Sequence, residues 1–484
     1  MTSTPDIDAA LTFIQQHPGS STSPTISPAT LLQKIDRRIV PTMFLCYLIQ
    51  FLDKVLINYA NVMGLSRDLQ LRNNEFSWLA TGFFLAYLVA EIPTNYMLQK
   101  LPVGKYLGVN VILWGIATAC TAACHNFHTV LLARIFLGIF EACIAPCLSL
   151  ITSMWYTKAE QAPRFGIWYC GVGVGQILGG VVSFGFQNVS GTMMAGWRVM
   201  FLVLGMITVC IGLTTYVYLP DNPMTSEWLS IDERVAAIKR VMDKNQTGIE
   251  NRRFRVHHVV EALMDPQYWL LFILTILCSL SSGVISTYST TLIRNFGFGA
   301  KTSALLNMPS GVVSITSTVM STLAIGRCGK RWLWTIFLVI PGVIGGGMMS
   351  FLPGGNKAGL LIGIYLINTI VAVMSIIYSW AAANTAGHTK KIVVNTTIMI
   401  GFSLGNIVSP MSFQAKDAPQ YTPAKILVLA SQAAVGFVAL GLRGYYGYEN
   451  RRRDVAQSTD DDSVGDRAWL NLTDCENKAF QYSY

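Results

Sequence analysis

The stretch Ile39–Met63, IVPTMFLCYLIQFLDKVLINYANVM, is apolar over the length of a membrane-spanning helix, yet carries an acid and a base side by side, Asp53 and Lys54. A spanning helix needs about 20 mostly apolar residues. Each charge at the centre of such a helix costs about 2.5–3.5 kcal/mol on insertion scales. The run therefore predicts a transmembrane helix with a reason to keep two ionisable groups.

Eleven further runs of this kind follow, near 76–98, 103–124, 129–153, 165–187, 198–219, 267–291, 302–325, 332–352, 358–384, 392–414 and 424–442. Composition agrees: the 484 residues are 52% hydrophobic and 13% charged, with mean hydropathy +0.44. Soluble domains average about 25% charged residues, so this chain cannot cover a water-facing surface. The expected fold class is an all-α membrane protein with twelve transmembrane helices.

The +9 formal charge does not point to nucleic acid, because its distribution follows the loops. With the N-terminus inside, cytosolic segments hold 25 of the 35 Lys and Arg residues and outer loops hold 7. Lys54, Arg134 and Arg198 lie within spans or at their ends. The positive-inside rule then places both termini in the cytosol.

The expected organisation is a disordered cytosolic tail at 1–34, six spans in 35–219, a cytosolic linker at 220–266, six spans in 267–443 and a cytosolic tail at 444–484. In the linker, Ser230 and Glu233 form a capping-box pattern. Ile231, Val235, Ile238 and Met242 follow at helical spacing, predicting an amphipathic helix against the cytosolic face. After the last span, Arg451–Arg453 suit anionic headgroups, and the acidic run at 460–462 reads as solvated.

No phosphate-cradling G-x-x-x-x-G-K-[ST] motif appears, and the ten cysteines sit mostly inside apolar runs without CxxC or His/Cys metal spacing. Neither cofactor, metal nor enzymatic activity is expected. In GVGVGQILGG, residues 171–180, the better reading is mechanical: Gly171, Gly175 and Gly179 recur every four residues and make a smooth ridge for close helix approach.

The fourth span holds RIFLGIFEACIAP. Arg134, Gly138 and Glu141 share one helix face, with Arg134 about 10 Å nearer the outside than Glu141 by helical rise. Asp53, Lys54, Arg134 and Glu141 thus place two charges of each sign at similar depths on two helices. Glu91 lies nearer the cytosolic end of the second span, where a structural role is at least as good a reading. The second half offers a neutral hydrogen-bonding wall: Tyr288, Trp380, Asn384 and Asn406. Buried ion pairs stabilise poorly, and intramembrane ionisable residues default to function. The resulting expectation is that Lys54 attracts a carboxylate substrate, that Glu141 alternates between protonated and ionised states, and that Asp53 pairs with Arg134 until a proton releases it.

The stretches FLDKVLINYANVMGL, YLVAEIPTNYMLQKLPVGKYLGVNVILWGI, RIFLGIFEACIAPCLSLITSMWYTKAEQAPRFGIWY, GQILGG, LPDNP, GFSLGNIVSP and KDAPQYTPAK resemble the major facilitator superfamily. More narrowly they resemble the fungal allantoate-permease-like branch of the anion:cation symporters, from about Ile35 to the end, including NLTDCEN. The resemblance implies two six-helix bundles rocking about a midplane site. It also implies carriage of organic anions such as ureides, vitamins or amino acids with protons. In bacterial sugar-acid relatives, the matching positions assign proton and substrate work to Asp53, Lys54, Arg134 and Glu141, and substrate contact to Tyr87 and Asn406. Those relatives have arginine at Lys54, so the bidentate fork is replaced by a point charge. Gln99 stands near the acid of the usual loop motif. Gln176 stands in place of an antiporter-associated proline, which favours uptake.

The expected function is proton-coupled uptake of a small organic anion by a monomer in the plasma membrane of a fungus. Export of a secondary metabolite and a non-transporting nutrient sensor on the same fold are the alternatives.

Overall fold

A computed structural model describes residues 9–16, 27–188, 194–245, 256–418, 420–457, 473–477 and 480–484, and among these no strand occurs. Twelve helices are long and apolar enough to cross a membrane. They are Pro28–Val62, Glu75–Leu98, Val103–Thr121, Phe127–Trp155, Pro163–Phe186, Gly196–Tyr218, Pro266–Asn295, Ala300–Cys328, Arg331–Phe351, Lys357–Asn384, Thr389–Met411 and Thr422–Val455, and they are numbered as spans 1 to 12 below. Large apolar residues on their outer surfaces, among them Val217, Phe351 and Phe437, are at least three-quarters exposed, as lipid contact requires.

Span 1 begins at Pro28, eleven residues before the apolar run. Proline suits a first helical turn, where its missing N–H has no partner anyway. The charged turn that follows is helical too, and three of its charged groups have partners. Lys34 meets Glu233 at 2.7 Å, Asp36 meets Arg164 at 2.6 Å, and Arg38 Nε donates to the Tyr218 carbonyl at 3.1 Å. Within the tail expected to be disordered to residue 34, Pro28 onward is thus helical, and so is Ala9–Gln16, whose Phe13 and Ile14 pack on Ile238.

Span 4 is two helices, Phe127–Glu141 and Ile144–Trp155, broken directly after Glu141. Pro146 explains the break: it has no N–H for the carbonyl of Ala142, and its ring crowds that carbonyl. A charged side chain thus sits at the end of a half-helix inside the span.

Spans 1–6 and 7–12 form two groups. In the first, span 3 packs on spans 4 and 6, span 2 on span 4, and span 1 on span 5; in the second, span 7 packs on spans 11 and 12, and span 9 on spans 10 and 12. The groups meet where span 1 touches span 7, span 2 touches span 11 and span 5 touches span 8. With an even number of spans, both chain ends lie on one face, the terminal face; the other is the far face.

The linker divides between the groups. Helix Ile231–Asn245 carries the capping box, with Ser230 N donating to Glu233 at 2.9 Å and Glu233 N to Ser230 Oγ at 3.2 Å. Val235 and Ile238 are buried, Ile231 is exposed, and the side chains of Met242 and Gln99 lie outside those described. Arg240 ties this helix to Glu160 at 3.1 Å and to the Trp155 carbonyl at 3.0 Å, both in the first group. The second linker helix, Val256–Met264, packs on spans 7 and 11.

The end of the chain is docked rather than solvated. Lys390, fully buried, contacts Glu261 at 3.0 Å and Asp265 and Asp474 at 2.9 Å. Arg331 N donates to the Tyr484 carbonyl at 2.9 Å, and Arg453 donates to the Phe480 carbonyl at 2.7 Å. Residues 473–477 and 480–484 therefore strap the terminal ends of spans 7 and 9–12. The acidic run 460–462 lies outside the described residues.

Candidate functional site

Asp53 and Lys54 occupy successive positions on span 1, so their side chains diverge by about 100°. Asp53 turns into its own bundle, where Oδ2 accepts from Trp114 Nε1 at 2.6 Å and Thr118 Oγ1 at 3.1 Å. Lys54 turns toward the second bundle. Its ammonium lies 3.5 Å from Glu141 Oε1 and over the rings of Phe84, Tyr87 and Phe402, at 5.8, 5.6 and 5.0 Å from their centroids. Phe402 belongs to span 11, so one wall of this aromatic cage comes from the other bundle.

The Lys54–Glu141 contact is longer than the 2.7–2.9 Å of a charge-assisted hydrogen bond. The Glu141 side chain is wholly buried and Lys54 retains 13% exposure, so the pair opens to solvent on the lysine side only. A loose pair of this kind can exchange partners: a carboxylate entering beside Lys54 competes with Glu141 for one ammonium.

The expected Asp53–Arg134 pair is not formed in this state. Trp114 and Thr118 take the Asp53 carboxylate, while Arg134 is buried over the ring of Phe201 at 5.5 Å, its Nε and Nη2 without hydrogen-bond partners. Glu91 is likewise buried on span 2, neither carboxylate oxygen having a hydrogen-bond partner. It lies one turn beyond Tyr87 toward the terminal face, on the same side of the helix.

The small residues set how closely the charged helices approach. A Cβ on Gly138 would collide with the Phe83 carbonyl oxygen, so glycine lets span 4 pack this closely on span 2, one turn before Glu141. Gly171, Gly175 and Gly179 face span 1 at Leu48, Leu52 and Tyr59, the stretch that carries the acid–base pair.

Beyond Lys54, about one turn toward the far face, hydrogen bonds join the bundles. The Asn58 amide bonds to the Ser289 and Thr290 hydroxyls at 3.0 Å each, and Asn307 Nδ2 donates to Tyr59 Oη at 3.0 Å. Tyr288 Oη and Ser77 Oγ are 2.6 Å apart, and the Tyr288 ring stacks on Phe413 at 4.1 Å. Tyr288, expected to bind substrate, takes part in this seal. Toward the terminal face, charged groups pair within their own bundle or its attached segments, as in Arg164–Asp36, Arg240–Glu160 and the Lys390 cluster.

Two further expectations are corrected. Trp380 Nε1 and Asn384 Nδ2 both donate to the Ser483 carbonyl, at 3.2 and 2.9 Å, and Ser483 N donates back to Asn384 Oδ1 at 2.7 Å. Their hydrogen-bonding capacity serves the C-terminal strap, not a substrate. Asn406 is buried one turn from Phe402 and donates to the Phe402 carbonyl at 2.8 Å, which places it beside the cage.

Residues 43–410 match the family model described as Major Facilitator Superfamily. The chain belongs to the major facilitator superfamily. It is a multi-pass membrane transporter, not an enzyme. It is 37% identical over 502 aligned positions to a thiamine pathway transporter of Saccharomyces cerevisiae, covering 99% of this chain and 94% of that one. It is 30% identical to the allantoate permease of the same yeast, covering 93% and 85%. The fold matches that of the proton:xylose symporter XylE with a TM-score of 0.65 at 13% identity, covering 85% of this chain and 96% of the other.

In this major facilitator chain the structure brings together Lys54, Glu141 and Tyr87, keeps Asp53 and Arg134 close behind them, and places Tyr288 in the seal and Trp380 and Asn384 at the C-terminal strap. It adds Phe84, Phe402, Trp114 and Thr118. Pro146, five residues after Glu141, was the available sign that the fourth span breaks at its acid; partners across sixty residues of sequence left no local sign.

Proposed function

We propose that this transporter imports a small organic anion together with a proton, across the plasma membrane of a fungal cell, with its terminal face in the cytosol. The observation that carries the reading is the loose Lys54–Glu141 pair at the interface between the bundles, caged by Phe84, Tyr87 and Phe402. With Glu141 ionised, the ammonium is neutralised and an anion gains little from it. Protonation of Glu141 frees Lys54 for a substrate carboxylate, so anion and proton enter as a pair. Asp53 and Arg134 supply the second charge pair, which forms once the Asp53 carboxylate leaves Trp114 and Thr118.

The seal from Asn58, Tyr59, Ser77 and Tyr288 fits a state closed to the far side, which the excess of Lys and Arg on the terminal face makes the exterior. Rocking the bundles breaks those neutral hydrogen bonds, each worth about 0.5–1.5 kcal/mol net, a scale that a bound ligand can offset.

A second reading draws on the same cage. Three aromatic faces and a buried carboxylate also suit an organic cation, the charge type of thiamine, for whose pathway one relative is named. In that case the substrate replaces the Lys54 ammonium.

The test is an uptake panel of carboxylates, ureides and thiamine in yeast lacking its own permeases, with and without a protonophore. Protonophore-sensitive uptake of an anion supports the first reading. Uptake of thiamine alone transfers support to the second, and efflux from preloaded cells without uptake overturns the direction.

A further inference from the structure

On the terminal face, away from the transport site, a cavity of about 410 Å³ opens between the first turns of span 1, the end of span 6 and the linker. Its walls include Lys34, Arg37, Arg38, Tyr218 and Trp228. The cationic groups differ in how they are held. Lys34 is neutralised by Glu233 at 2.7 Å. Arg38 is fixed, its guanidinium 4.3 Å from the Tyr218 ring centroid and 5.3 Å from that of Trp228, with Nε on the Tyr218 carbonyl. Arg37 is exposed and has no ion pair among the described residues. The cavity thus keeps two uncompensated guanidinium groups, one pre-oriented and one free to close.

Its depth is set by the helix. The apolar run of span 1 starts at Ile39, so Arg38 to Lys34 lie roughly 2–8 Å outside the hydrocarbon by helical rise, at headgroup level. Tyr218 and Trp228 are the aromatic types that favour this layer. Paired guanidinium forks suit a phosphate oxygen pair better than a lone carboxylate on a flexible chain.

We propose that this cavity binds a phosphate group, supplied by an anionic phospholipid of the adjoining leaflet. The bound phosphate bridges Arg37 and Arg38, and through Lys34–Glu233 and Trp228 it rests against the linker that joins the two bundles.

The experiment uses the purified full chain in detergent micelles with phosphatidylcholine. Phosphatidic acid or inorganic phosphate is titrated in, and the midpoint of thermal unfolding is followed together with tryptophan fluorescence. Phosphatidic acid is expected to raise the midpoint saturably and to shift the fluorescence. Arg37→Gln, which breaks no ion pair or side-chain hydrogen bond among the described residues, should weaken the apparent affinity roughly tenfold, the scale of one charged hydrogen bond. Arg327→Gln, at an exposed arginine in the terminal end of span 8, should leave it unchanged. An equal, Arg37-dependent response to inorganic phosphate supports the phosphate site and assigns it a soluble source. No saturable response to either probe, or a response that survives Arg37→Gln together with Arg38→Gln, overturns the proposal.

Discussion

Replacing Glu141 by glutamine fixes the site in the equivalent of its protonated form while keeping the side-chain volume. At 3.5 Å, the attraction between Lys54 and an ionised Glu141 is about 5 kcal/mol at an effective dielectric of about 20. That attraction is what an entering carboxylate must displace, and the substitution removes it. In the wild-type protein, anion affinity should therefore fall as pH rises and Glu141 ionises. In Glu141→Gln the affinity should be high and flat with pH. Reconstituted vesicles give the assay: exchange of labelled for unlabelled substrate should persist, whereas accumulation driven by an imposed pH gradient should collapse to simple equilibration. A variant that still concentrates substrate, and loses that ability on adding protonophore, would refute the assignment of proton coupling to this pair.

The remaining expectations concern packing and the charged clusters. Gly138→Ala should destabilise the purified protein by about 1–3 kcal/mol, the usual cost of overpacking, because its Cβ meets the Phe83 carbonyl, whereas Gly185→Ala, with open space around it, should leave the unfolding midpoint almost unchanged. Glu91→Leu should raise that midpoint, because it removes a buried acid whose two oxygens have no hydrogen-bond partner; a clear loss of stability would show that the acid is paired. Lys390→Met should cost about 3–5 kcal/mol by stranding buried carboxylates, and should expose the C-terminal strap to limited proteolysis. At the linker, burial pushes the Glu233 carboxyl up, but Lys34 and Ser230 more than offset this and hold it below the usual range. Its contribution is thus complete at neutral pH and lost as pH falls through that depressed value, so wild type and Glu233→Gln should differ in stability at pH 7 and converge in acid.

The spans were legible because length and hydropathy alone decide them, and the charged turn at 34–38 shows the limit of that signal. It reads as the end of a tail, yet it is helical, with Lys34 paired to Glu233 and Asp36 to Arg164, both partners remote in sequence. Lys54 and Glu141 were legible as a constellation, since two opposite charges deep in two spans need each other. Their pairing, and the diversion of Asp53 to Trp114 and Thr118, depended on how spans 1, 3 and 4 rotate, which no local pattern records. Trp380 and Asn384 misled for a related reason. Polar groups in an apolar helix announce that they have a partner, but not whether it is a substrate or, as here, the last residues of the same chain.

The most direct measurement places the purified protein in weak buffer with a pH-indicator dye and adds the anion identified by the uptake panel. If a carboxylate takes Lys54 from a newly protonated Glu141, binding near neutral pH should draw protons from solution, approaching one per substrate as pH rises, and Glu141→Gln should draw none. Substrate binding with no proton uptake in the wild-type protein, or equal uptake in the variant, would contradict the account.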